Sequence, residues 1–94
     1  MPYLLIRHKV EDYAKWKPVF DDHGSTREAA GSKGGYVFRN ANDQNEIVIL
    51  LEVDDLERCR QLVESEDLKE AMQRSGVADM PDIYYLDEAD RPSA

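Results

Sequence analysis

The chain is expected to be an α+β protein of order βαββαβ, with a four-stranded antiparallel sheet and both helices on one face. Three observations point there. Apolar residues run or alternate at strand spacing in four short segments, which are separated by two longer segments with helical spacing. The helical segments are bounded by capping residues and glycines. A turn-rich tetrapeptide joins the second and third strand segments, which makes those two a hairpin.

The elements follow in order. "YLLIRHKV" (3–10) begins as an apolar run and then alternates, as a strand partly covered on both faces does. "DYAKWKPVFDDHGSTREAAG" (12–31) is the first helix, with Glu11 or Asp12 as N-cap and the glycines of "GSKGG" as its stop. Pro18 inside it either disturbs the preceding turn or starts a new helix. "GYVFRNA" (35–41) and "EIVILLEV" (46–53) are the hairpin strands, joined through "NDQN". Asp54 and Glu57 make a capping box for "DLERCRQLVES", and Ser65 caps a second piece, "EDLKEAMQRS", that Gly76 stops. Leu68 and Met72 are spaced as core contacts, and Met80 is placed at the rim. "DIYYLDE" (82–88) is the last strand, and residues 89–94 form a polar tail. No linker or repeat divides residues 1–94, so a single domain is expected.

Acidic residues outnumber basic ones 20 to 12, a formal charge of −8 that repels nucleic acid and anionic membrane surfaces. "KGGYVFR" has some likeness to the aromatic strand motif of RNA-binding domains. It lies on the second strand, however, and Arg39 stands where an aromatic is required. No apolar run is long enough to cross a bilayer and the first residues do not make a signal peptide, so a cytoplasmic location is expected. Cys59 is alone, forms no internal disulfide, and falls at an apolar helix position.

Helices on one sheet face leave the other to water, yet the strands are apolar on both. In "EIVILLEV", Ile47, Ile49, Leu51 and Val53 point one way and Val48 and Leu50 the other. An identical subunit packed sheet to sheet is the economical cover, so a homodimer is expected.

The element order, the two-sided strands, the "DYAKWKPVFDDH" helix and "GGYVFRNANDQNEIVILLEVDDLERCRQLVES" resemble the dimeric α/β-barrel superfamily of ferredoxin-like domains, over about residues 2–88. Its antibiotic-biosynthesis-type monooxygenases and its cyclase- and isomerase-like members are the nearest in kind. The resemblance implies a dimer that binds a small aromatic or polyketide-like molecule, and a cofactor-independent monooxygenase or cyclase/isomerase. It also implies the residue types Trp, Asn and Tyr or His at the site, supplied here by Trp16, Asn40 and Tyr84 or Tyr85. A non-catalytic dimeric binding or stress-response module is the alternative. A haem-binding relative is the third, although both histidines lie early in the chain.

The residues themselves point to one helix face. At about 100° per residue Trp16, Phe20, His23 and Arg27 share an arc of about 60° on the side expected to meet the sheet. An unpaired buried guanidinium is prohibitive, so Arg27 reaches solvent and an acid, or lines a cavity. In the second case His23 or His8 would act as general base, with Arg27 stabilising an enolate. Trp16, Phe20, Phe38, Asn40 and Tyr84 would supply the walls and donors of the pocket. No metal or cofactor is called for.

Overall fold

A computed structural model of the chain describes residues 2–66, 69, 70, 73, 76 and 81–93. The elements are β1 (Pro2–Lys9), α1 (Tyr13–Asp22), α2 (Gly24–Ala29), β2 (Ser32–Asn40), β3 (Asp43–Val53), α3 (Leu56–Val63) and β4 (Asp82–Asp87). The strands form one antiparallel sheet in the order β2-β3-β1-β4. The expected βαββαβ order is therefore present, with the first helical segment divided in two. Leu68, Met72 and Met80 lie outside the described residues.

Local chemistry explains the boundaries. The Asp12 side chain accepts from Ala14 N at 3.0 Å and opens α1. Pro18 sits inside α1 without ending it. The break comes at His23, whose N–H is shared between the Val19 and Phe20 carbonyls, and Gly24 starts α2. Gly31, at φ 101, ends α2 in the left-handed region, where a Cβ would also strike the Asp54 carboxylate. Asp55, rather than Asp54, caps α3: its side chain accepts from Glu57 N and Arg58 N. The Asp54 side chain instead pairs with Lys33 at 3.7 Å.

β2 begins three residues earlier than the pattern suggests because Ser32 pairs with Val53, and an irregularity before Gly35 restores the register. Gly35 is required there, since a Cβ would lie 1.9 Å from the Leu50 carbonyl oxygen. At the other end β2 and β3 approach to Asn40 and Asp43, and the Asn40 side chain accepts from Asn42 N at 2.8 Å to hold the turn.

The core lies between the sheet and the helices. Leu4, Ile6 and His8 of β1 and Ile47, Ile49, Leu51 and Val53 of β3 form its floor, and Trp16 and Cys59 close it from above. The opposite face carries Tyr36, Leu50, Leu5 and Tyr84 in one cross-strand row and Phe38, Val48 and Arg7 in the next. Tyr36, Phe38 and Tyr84 are 62%, 50% and 55% exposed on that face.

Ile47 is fully buried at the centre of the floor. Ile47→Ala is expected to lower the unfolding free energy by about 2–5 kcal/mol, read from denaturant titration with an unchanged slope.

Candidate functional site

The helical stripe meets the floor of the sheet around a cavity of about 70 Å³. Trp16, Val19, Phe20, His23, Arg27 and Ala30 all line it, so the break at His23 does not take the second half of the stripe out of register. His8 lines it from β1, and Cys59 and Leu62 from α3.

The roof is a stack. The Trp16 ring is edge-on to His8 at 5.6 Å and stacks on Phe20 at 4.9 Å. The Arg27 guanidinium lies 3.7 Å from the Phe20 ring centroid on a cation–π contact and donates from Nη1 to the Phe20 carbonyl oxygen at 2.7 Å. That carbonyl is one of the last of α1, so the contact ties the end of α1 to α2. No carboxylate lies within ion-pair distance of Arg27 among the described residues; burial lowers its pKa from the ordinary value, partly offset by the charge of Asp21.

His8 is 2% exposed. His23 keeps its Nδ1 shielded from solvent with no hydrogen-bond partner among the described residues. The cavity wall is thus almost wholly apolar and aromatic, with the His23 and Arg27 side chains among the residues around it. An imidazole and a guanidinium that reach one ligand can remove a proton from it and stabilise the anion left behind.

Five of the eight residues expected at the site meet here: His8, Trp16, Phe20, His23 and Arg27. The other three are elsewhere. Phe38 and Tyr84 project from the opposite face of the sheet, because on β2 and β4 it is Val37, Ile83 and Tyr85 that pack toward the core. Asn40 holds the β2–β3 turn and donates to Glu46 at 3.3 Å. Val19, Ser32 and Leu62 line the cavity and were not expected to; Val19 and Leu62 are legible only once the helices are seated on the sheet. As it stands the space takes neither a haem nor a polyketide ring system, since ligand pockets typically measure about 300–1,000 Å³. Among the described residues no three His, Cys, Asp or Glu side chains are grouped to hold a metal ion, and no helix is long and apolar enough to cross a membrane.

No protein-family model matches the chain, and no curated protein sequence does. Solved structures are similar in fold. A candidate antibiotic biosynthesis monooxygenase from Caulobacter crescentus superposes with TM-score 0.73 at 19% identity, over 95% of this chain and 90% of that one. Another from Bordetella bronchiseptica gives TM-score 0.77 at 12% identity, over 94% and 96%. A variant of SnoaB, a cofactor-independent oxygenase from Streptomyces nogalater, gives 0.74 at 12%, over 99% and 97%. The chain shares with these proteins the ferredoxin-like α+β fold expected from its sequence.

Burial raises the Cys59 thiol pKa above its ordinary value. The unfolded chain then ionises first, so the thiol's contribution to stability is complete below about pH 8.5 and is lost as pH rises through the folded value. A thiol-specific disulfide reagent at pH 7.5 is expected to label Cys59 only in denaturant, and Cys59→Ala to remove that component of alkaline destabilisation.

Proposed function

We propose that the chain is a homodimer that binds a small phenol or enolisable aromatic between the sheet and α1, and oxidises it as a cofactor-independent monooxygenase. The observation that carries this is that His23 and Arg27 line one aromatic-walled cavity, Arg27 with no carboxylate partner and His23 Nδ1 with no hydrogen-bond partner among the described residues. His23 Nδ1 accepts the hydroxyl proton and Arg27 offsets the charge of the phenolate. The electron-rich ring then reduces dioxygen: phenol and O₂ give a quinone and water, with one oxygen atom entering the ring, the other leaving as water, and all four electrons coming from the substrate. The likeness of fold to a cofactor-independent oxygenase supports this reaction class. The same base and cation would serve a cyclase or isomerase, which proceeds without oxygen uptake. The small volume of the cavity favours the rival reading, a binding module without catalysis.

The dimer rests on the uncovered sheet face, where Tyr36, Phe38, Tyr84 and Leu86 are all exposed on one side of the molecule. Pairing that face about a two-fold axis buries it and leaves the helix-covered cavity of each subunit intact.

An oxygen electrode with a panel of phenols, naphthols and hydroquinones tests the reaction. Uptake is expected with at least one, and His23→Ala is expected to lower kcat by about 10²–10⁴-fold with little change in substrate binding. Binding without uptake would leave the binding module, or an isomerase, in its place. Sedimentation equilibrium is expected to give twice the chain mass and Phe38→Asp to give a monomer; a wild-type monomer would remove the dimer claim.

A further inference from the structure

The cavity under α1 does not stand alone. A cleft of about 640 Å³ lies between α2 and β2, open to solvent, and Phe20, Arg27, Ser32 and Leu51 line both spaces. The Phe20 side chain is held between the Trp16 ring on one side and the Arg27 guanidinium on the other. An aromatic ring and a cation therefore lie where a roomy cleft adjoins a cavity too small for even benzene, which an engineered cavity of about 150 Å³ accepts.

We propose that the Phe20–Arg27 pair is the gate of this site and that its ligand is a small aromatic acid, whose carboxylate is taken by Arg27 as the ring passes into the cavity. This rests on reading the cavity as a ligand site. The chemistry selects the class. Among the described residues Arg27 uses one of its five N–H donors, on the Phe20 carbonyl, and meets no carboxylate. A planar carboxylate matches its fork and supplies the missing counter-charge. The ligand ring replaces Phe20 as the partner stacked on Trp16, so the rotation of Phe20 costs the roof no aromatic contact. The other cation of the cleft, Lys33, already pairs with Asp54 at 3.7 Å, which leaves Arg27 as the receptor.

Benzoate and its uncharged isostere benzamide test the proposal, by calorimetry and by the fluorescence of Trp16, the chain's single tryptophan. Benzoate is expected to bind at least tenfold more tightly than benzamide and to change Trp16 emission. Arg27→Met should erase that preference, Arg27→Lys should keep part of it, and Lys33→Ala should leave it within about twofold. Phe20→Ala should speed benzoate association. Equal affinity for the two probes, no binding of either at 10 mM or so, benzoate binding silent in Trp16 emission, or loss of benzoate through Lys33→Ala would each overturn it. Should Arg27→Met fail to fold, the wild-type preference together with Arg27→Lys decides. Oxygen uptake is read separately: benzoate selectivity without oxidation of any phenol keeps this gate and removes the monooxygenase, and oxidation of neutral phenols without selectivity does the reverse.

Discussion

The seating of Trp16 against the sheet is the contact on which the site depends. Its indole is 3% exposed, lies edge-on to His8 from β1, and stacks on Phe20 one turn further along α1. Phe20 in turn carries Arg27. Three side chains on two short helices are thereby ordered from one end, and each restricts the next. Loss of the indole would remove the roof and also the surface that places the cation.

Charge burial makes this arrangement unusual for a core. The guanidinium of Arg27 is half-buried, and among the described residues a carbonyl oxygen and a ring face, not a carboxylate, partner it. A similar tension exists at His23, whose inner nitrogen is shielded and unbonded among the described residues. Local departures from core logic that no neighbour repairs are expected where a ligand completes the set.

Much of the fold was legible, and the reasons are local. Alternation in "EIVILLEV" identified the strand and separated its two faces, and register with β1 and β2 preserves that separation. Asp12 and the glycine after α2 mark the ends of the first helical segment by their own backbone chemistry. The cap of α3 was misplaced by one residue because Asp54 and Asp55 are chemically equivalent; only the demand of Lys33 and the closeness of Gly31 assign Asp54 elsewhere. Phe38 and Tyr84 were assigned to the wrong side of the sheet for a related reason. Alternation says which residues share a face, and it is silent on which face the helices cover when both are apolar.

Spacing and capping act over a few residues, so the order of elements, the apolar character of both sheet faces and the stripe from Trp16 to Arg27 can be read along the chain. That the stripe survives a helix break, lines a space together with His8, and ends in an Arg27 turned back onto Phe20 follows from how the helices pack on the sheet. Those outcomes depend on how far the helices stand from the sheet and on which long side chain finds a partner first, and these are distances between segments remote in the chain.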